Sequence, residues 1–148
     1  MKNWILKENG GSIVEFSSQY HHESRCLNLL TRDPTLCWFS GRSPAVPQHV
    51  IFSFSTKVDL KRVGIYLHGE SNQNPKYLII QTSLDGKNFT TVAESELEQR
   101  AGDHLFDLPE LVTASFIKFI ITENFGGSGI FVTKALAFGE ESMDHTRS

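Results

Sequence analysis

Residues that catalyse reactions occur in this 148-residue sequence, but they do not form a recognisable catalytic pattern. There is no Gly-x-Ser-x-Gly motif, and neither Cys26 nor Cys37 has the flanking residues of a nucleophilic thiol. The carboxylates are scattered along the chain, so no acid–base pair is indicated. We therefore expect that the protein is not an enzyme.

Two further stretches contain residue types that bind metals or phosphates. His21-His22-Glu23 has metal-binding side chains, but adjacent histidines on an extended loop point in different directions, and no second spaced pair accompanies them. Gly126-Gly127-Ser128-Gly129 joins two predicted strands, so no helix N-terminus is available to face an anion. The first pattern favours a solvated loop, and the second favours a hairpin turn.

Strands and tight turns must position these side chains. The clearest alternation of apolar and polar residues covers 49–56 and 61–68, and 76–94 predicts a hairpin that turns at Asp85-Gly86. Trp38 is expected in the core. Further strands are predicted at 12–16, 104–108 (ended by Pro109), 116–122 and 130–138. We predict an all-β antiparallel jelly-roll sandwich of eight or nine short strands, with one domain over 1–140 and a polar tail over 141–148.

The overall charge and the termini limit the partners and the compartment. A formal charge of −3, from 14 basic and 17 acidic residues, gives no electrostatic argument for binding nucleic acid or an anionic membrane. The N-terminus lacks a secretory signal pattern, and no apolar run approaches the length of a membrane span. Two cysteines without a signal peptide favour buried thiols in a reducing compartment, although their pairing stays open. We predict a cytoplasmic protein.

Several short motifs follow one another in an order that indicates a family. They are Asn28-Leu29-Leu30, Asp33, Trp38, residues 47–52, residues 83–89, residues 116–120 and Phe138-Gly139-Glu140. Together they resemble the discoidin, or coagulation-factor type C, family of galactose-binding-like jelly rolls. The resemblance covers about residues 12–140. It implies the same sandwich and a non-catalytic binding role.

The resemblance also implies a calcium site in the turn before the core tryptophan, built from carbonyl and carboxylate oxygens. The candidate ligands in this chain are Asn28, Asp33 and Glu140 or Glu141. Thr31, Arg32 and Leu36 depart from the family pattern, and Arg32 brings a positive charge to the place of the metal. The alternative is that Asp33-Pro34 only initiates a turn.

Ligands of such sandwiches usually meet the loops at one end. The resemblance places these loops at about 19–25, 39–46, 69–75 and 124–129. Their candidate binding residues are Tyr20, His22, Phe39, Arg42, Asn72 and Phe125. Aromatic and arginine side chains contribute much of the binding energy at interfaces. Phe39 has the alternative of packing beside Trp38.

Three functions follow from the resemblance. The absence of terminal cysteines favours an intracellular member, similar to the small discoidin-like subunit of a ciliary intraflagellar transport complex. That implies a protein-interaction adaptor in the cytoplasm or cilium, with a small GTPase or another transport-complex subunit as its partner. One alternative is a carbohydrate-binding module that uses rings such as Trp4, Tyr20 and Tyr66. The other resembles a DNA-repair scaffold domain that binds a polymerase or nicked DNA, which the negative charge disfavours.

Overall fold

The computed structural model describes residues 1–21, 25–41 and 44–143. Nine strands and two short 3-10 helices lie in these ranges. The strands are β1 Lys2–Asn3, β2 Ser12–Phe16, β3 Trp38–Phe39, β4 Gln48–Leu67, β5 Pro75–Ser83, β6 Thr90–Glu96, β7 Gly102–Asn124, β8 Phe131–Val132 and β9 Lys134–Glu141. The 3-10 helices are Lys7–Asn9 and Cys26–Leu30. None of the helices in these ranges is long or apolar enough to cross a membrane.

All the strand pairs are antiparallel, and the two long strands β4 and β7 connect the whole structure. The main sheet has the order β1-β9-β4-β7-β5-β6, and β2 also pairs with β4. The first part of β4 lies between β2 and β7, and the part after Val58 lies between β9 and β7. β3 and β8 form a separate two-stranded pair. This is the predicted all-β antiparallel sandwich.

Two predicted boundaries were wrong because pairing partners override local signals. The predicted strands 49–56 and 61–68 are one strand, β4, in which the pairing with β7 is interrupted between Ser53 and Val58. Pro109 does not end a strand, since β7 runs through it. The pairing between β4 and β7 skips from Asp107 to Val112, and Pro109 lies in this gap. The N–H that proline lacks is therefore not needed for a hydrogen bond between the two strands.

The C-terminal boundaries also differ from the prediction. Residues 130–138 do not form one strand, since β8 ends at Val132 and β9 begins at Lys134. β9 continues to Glu141, and buried Ser142 donates its backbone N–H to the Lys57 carbonyl at 2.9 Å. The end of the predicted tail, 144–148, lies outside the described residues.

The core contains large side chains from both parts of β4 and from β7, together with residues of other strands and loops. Phe52 and Phe119 are fully buried and meet edge to face, with their ring centroids 5.8 Å apart. Trp38 is 1% exposed, as expected for a core anchor. Trp4 is also buried, and its indole N–H donates to the Gly139 carbonyl at 3.1 Å. The alternating apolar faces predicted along 49–56 and 61–68 point into this core.

The turn between β5 and β6 is bonded within itself. Asp85 Oδ1 accepts the backbone N–H groups of Lys87 and Asn88, both at 2.8 Å. These bonds, with those from the Asn88 and Ser83 side chains, hold the pKa of the Asp85 carboxyl well below its usual range. Gly86 has a φ of +78°, which glycine adopts without steric cost, and a Cβ there would lie 3.0 Å from the Phe116 ring.

Candidate functional site

Loops that are distant in sequence meet beside the β3–β8 pair. The Tyr20 N–H donates to the Phe39 carbonyl at 2.7 Å, which joins the loop after β2 to β3. The Phe131 N–H donates to the Gln73 carbonyl at 3.1 Å, which joins β8 to the loop between β4 and β5. The Ser40 N–H donates to the Ile130 carbonyl at 2.9 Å. Main-chain bonds therefore fix the loops relative to one another.

The fourth predicted loop, 124–129, is fixed in the same way. The N–H groups of Phe125 and Gly127 both donate to the Asn72 carbonyl at 3.0 Å. The Asn124 side-chain amide donates to the carbonyls of Gly127 and Gly129, each at 2.9 Å. The predicted gathering of the loops at one end is therefore observed for their described residues.

A concave site opens between three of these loops. We call it the loop-end cleft, defined by Tyr20, His21, Phe39, Ser40 and Gln73, and its volume is about 250 Å³. A neighbouring pocket of about 210 Å³ shares Phe39 as a wall. Its other lining residues are His68, Gly69, Glu70, Ser71 and Phe131. The two depressions lie side by side across Phe39.

Two aromatic side chains dominate the surface of the loop-end cleft. Tyr20 is 47% exposed, and its ring centroid lies 4.9 Å from that of His21, with 53° between the ring planes. Phe39 is half-buried, and its ring packs against Phe131 with centroids 4.9 Å apart. Phe39 therefore packs against β8 and also lines the cleft. The cleft combines two ring surfaces with the polar side chains of His21 and Gln73. The buried Ser40 hydroxyl donates to the Gly41 carbonyl at 3.0 Å and accepts the Ile130 N–H at 2.8 Å.

Gln48 ties together two of the loops behind the cleft. Its side-chain oxygen accepts the hydroxyls of Ser17 and Ser18 at 2.5 and 2.6 Å. Its amide nitrogen donates to the carbonyls of Pro44 and Ala45 at 2.9 and 3.3 Å. Because Gln48 is only 3% exposed, losing it would leave several polar groups without partners.

Trp38 and Ser18 add a second set of bonds behind the cleft. The Trp38 indole N–H donates to the Ser18 carbonyl at 2.9 Å, and the Ser18 hydroxyl accepts the Gly41 N–H at 2.8 Å. The buried tryptophan therefore also positions the loop that carries Tyr20 and His21.

The structure distributes the predicted binding residues unevenly. Tyr20 and Phe39 line the loop-end cleft. Asn72 is exposed and contributes its backbone carbonyl to the loop network, while Phe125 is half-buried with the Lys76 ammonium 5.8 Å from its ring centroid. His22 and Arg42 lie outside the described residues.

Sequence reasoning missed several lining residues and misplaced one ring. His21, Ser40, Gln73 and His68 line the two depressions, and each stands within or next to a predicted loop. The signal in the sequence for His21 was the adjacent pair His21-His22. This pair was considered as a metal site and interpreted as part of a solvated loop. Trp4 was predicted as a ring for a carbohydrate site, but it is 6% exposed and belongs to the core.

Two larger depressions lie elsewhere and lack this combination. One of about 620 Å³ lies over β1 and β9, where Arg32 is paired with Glu8 and the Lys134 ammonium is bonded to carbonyls. Another of about 510 Å³ follows β2 and is lined largely by apolar side chains, including Val14 and Leu27. Neither places two rings beside uncharged hydrogen-bonding side chains, so we consider the loop-end cleft the better ligand site.

The predicted calcium ligands are not brought together. Lys134 donates to the Asn28 carbonyl at 3.0 Å, whereas Glu140 lies six residues further along β9, about 20 Å away. Glu140 instead lies 3.6 Å from Lys61. The Asp33 carboxylate is exposed, and its Oδ1 accepts both the N–H and the hydroxyl of Thr35, which lower its pKa.

The turn therefore does not fit a calcium ion. Calcium takes six to eight oxygen ligands at about 2.3–2.6 Å. Here the Lys134 ammonium lies among the carbonyl oxygens, at 3.0 Å from that of Asn28 and 3.1 Å from that of Leu36. Within residues 1–21, 25–41 and 44–143, no three His, Cys, Asp or Glu side chains are grouped closely enough to hold a metal.

The two cysteines are unpaired. Cys26 is buried in the 3-10 helix, and burial raises the pKa of its thiol, which keeps the thiol protonated. Cys37 lies beside Thr133, with its sulfur 3.7 Å from the Thr133 hydroxyl.

Comparison with known proteins agrees with this architecture. The model of the F5/8 type C domain matches residues 13–132. No curated protein matches the sequence at a significant level. Similar solved structures share the fold at low sequence identity.

Three of these structures are the following. The C-terminal domain of a Bacteroides fragilis chitobiase is 18% identical, with a TM-score of 0.79 over 93% of this chain and 98% of that one. CpGH89CBM32-5 from Clostridium perfringens, in complex with GalNAc-β-1,3-galactose, is 16% identical, with a TM-score of 0.78 over 90% and 99%. Chitosan-binding module 1 of a Paenibacillus sp. IK-5 chitosanase/glucanase is 19% identical, with a TM-score of 0.77 over 94% and 100%.

Proposed function

The chain belongs to the F5/8 type C domain family, and on this basis we propose that it is a non-catalytic carbohydrate-binding module whose glycan occupies the loop-end cleft. The observation that carries the proposal is the pairing of two aromatic rings, Tyr20 and Phe39, with polar side chains such as Gln73 in one concave site. This was the alternative to the predicted adaptor role. It accounts for the cleft better, because a sugar has both an apolar face and a rim of hydroxyls.

Each part of the cleft has a use in such binding. The exposed Tyr20 ring and the half-buried Phe39 ring offer apolar surface to the C–H face of a pyranose. The Gln73 side chain carries both donors and an acceptor, and His21 adds its ring nitrogens. The buried Ser40 hydroxyl is already bonded to the Gly41 carbonyl and the Ile130 N–H, so it supports the wall of the cleft. Sugar hydroxyls need both kinds of partner.

The neighbouring pocket gives the proposed site room for a second sugar. It continues from Phe39 to His68, Glu70 and Phe131. A disaccharide would therefore lie across Phe39, with one ring in each depression. The structure of CpGH89CBM32-5 was solved with a disaccharide, and the Paenibacillus module is described as chitosan-binding, which supports glycans as the ligand class.

The compartment and the other functions remain predictions. Two unpaired cysteines support the predicted reducing compartment, and we retain the cytoplasm as our proposal. The adaptor role in a ciliary complex, with a small GTPase or transport subunit as partner, is supported only by the motif resemblance. The three structures described above are not transport subunits.

The experiment is a glycan-array screen followed by titration calorimetry, with GalNAc-β-1,3-galactose and chitosan oligosaccharides as the first probes. We expect saturable binding that Tyr20→Ala and Gln73→Ala each weaken at least about tenfold, which is about 1.4 kcal/mol. Leu84→Ala is the matched control, because Leu84 is a comparably exposed apolar residue (56%) in the turn at the other end of β5. It should leave binding unchanged.

Two results would contradict the proposal. One is the absence of saturable binding to any glycan on the array. The other is glycan binding that Tyr20→Ala and Gln73→Ala leave at the wild-type level. Co-purification of a transport-complex subunit that Tyr20→Ala does not disrupt would favour the adaptor role instead.

A further inference from the structure

A buried lysine lies inside the turn that precedes the core tryptophan. Lys134 begins β9 and is 7% exposed. Its ammonium donates to the backbone carbonyl of Asn28 at 3.0 Å and to that of Leu36 at 3.1 Å. One side chain thus connects the two ends of this turn to the sheet.

The rest of the turn is arranged around this charge. The Asn28 side-chain amide donates to the Cys37 carbonyl at 2.8 Å, and the Thr31 hydroxyl donates to the Asn28 carbonyl at 3.2 Å. Burial lowers the pKa of Lys134, while the nearby Cys37 and Asp33 raise it. Two carbonyl oxygens therefore accept from the ammonium, and the negative charge of Asp33 favours it.

This contact differs from the usual position of a lysine. A lysine at the end of a surface strand normally extends its charge into water. Here the ammonium instead replaces water with two carbonyl oxygens from residues 98 and 106 positions away in sequence. Such a site compensates the cost of burying the charge only if the partners stay in place.

We propose that Lys134 supplies, as a covalently attached cation, the positive charge that a calcium ion supplies in calcium-binding members of the family. The turn at residues 26–36 is then ordered without metal. The oxygens that a hard cation would use are already taken by the ammonium. The inference is independent of the ligand in the loop-end cleft.

A charge reversal at this position gives the sharpest consequence. Lys134→Glu removes the built-in cation and introduces a carboxylate among the Asn28 and Leu36 carbonyls, close to Asp33. That set of oxygens suits a hard divalent cation. The thermal stability of the variant should therefore depend on calcium, whereas that of the wild-type chain should not.

The test is thermal unfolding in EDTA and in millimolar calcium for the wild type, Lys134→Met, Lys134→Glu and the control Lys61→Met. Lys61 is a half-exposed lysine that lies 3.6 Å from Glu140. The wild type and Lys61→Met should melt at nearly the same temperature in both buffers. Lys134→Met should melt several degrees lower, equally in both, because the Asn28 and Leu36 carbonyls lose their bonds to the ammonium. Lys134→Glu should melt lowest in EDTA and recover with calcium.

Terbium luminescence keeps the proposal testable if Lys134→Glu does not fold in EDTA. The wild-type chain should not sensitise terbium, and Lys134→Glu refolded with calcium should. The proposal would be overturned if the wild type lost stability in EDTA or bound terbium at this turn. It would also fail if Lys134→Met melted like Lys61→Met, or if calcium left Lys134→Glu unchanged.

Discussion

The two ends of β5 carry polar segments of different construction. At one end, the Ser83–Phe89 turn is bonded within itself, with side-chain bonds that span two or three residues. At the other end, the loop-end cleft is held by bonds between residues far apart in sequence, such as Ser40 with Ile130 and Phe131 with Gln73. The turn uses its polar groups internally. The cleft is held by backbone groups and by buried side chains such as that of Gln48, and Tyr20, Phe39 and Gln73 line its surface.

This difference separates a fold element from a binding site. Asp85 accepts four hydrogen bonds from its own turn, so it has little capacity left for a ligand. The backbone groups of Tyr20 and Gln73 bond to the Phe39 carbonyl and the Phe131 N–H, and both side chains line the loop-end cleft. Breaking the turn should therefore affect stability, and breaking the cleft should affect binding.

The largest effect is expected from Gly86→Val. The substitution adds left-handed strain and a contact with the Phe116 ring, so we expect the free energy of unfolding to fall by about 3 kcal/mol. Chemical denaturation measures this change. Gly126→Val is the control, because Gly126 also has a positive φ but its Cβ would meet no atom within 4 Å. Its free energy of unfolding should fall only by the cost of the left-handed backbone, about 1–2 kcal/mol.

Glycan affinity gives the second readout on Gly86→Val. Measured below its unfolding transition, the variant should bind like the wild type. Reduced affinity with unchanged stability would show that the turn belongs to the binding site.

Gln48→Leu should lower both the stability of the fold and the affinity for the glycan. Its side chain bonds Ser17, Ser18, Pro44 and Ala45, so the loss leaves polar groups unpaired and we expect a cost of about 2 kcal/mol. Because Gln48 fixes the loop that leads to Tyr20, glycan affinity should fall as well. Denaturation and calorimetry on the same preparation check both. Wild-type affinity in this variant would mean that the cleft does not depend on the loop framework.

The smallest effect is the pH dependence of Asp85→Asn. The folded state lowers the pKa of Asp85 below its ordinary value of 3.8, so its stabilisation is complete above that value and is lost as the pH falls towards the folded-state pKa. The difference in melting temperature between the wild type and Asp85→Asn should be constant near neutral pH and shrink in acid. A difference that grew in acid would contradict the assigned hydrogen bonds.

Local signals allowed the prediction of the fold but not of most of the site. Asp85-Gly86 encodes its turn within a few residues, and the alternation at 49–56 identifies its buried face directly. The continuity of β4 depends on its pairing with β7 and β9, which no local pattern reports. Gln73 and His68 reach their site through bonds from β8 and nearby loops, so their roles could not be derived from their neighbours in sequence. Lys134 shows the same limit, because its two acceptors lie far away along the chain.

The most direct test of the central claim is an amide chemical-shift map recorded by NMR during titration with a glycan identified on the array. If the glycan occupies the loop-end cleft, saturable shifts are expected in residues 18–21, 39–41 and 68–74, with the turn at 83–89 unchanged. Tyr20→Ala should abolish these shifts and Leu84→Ala should preserve them. Shifts centred on 83–89, or spread along β2 or β9 away from the cleft, would contradict the assignment of the binding site.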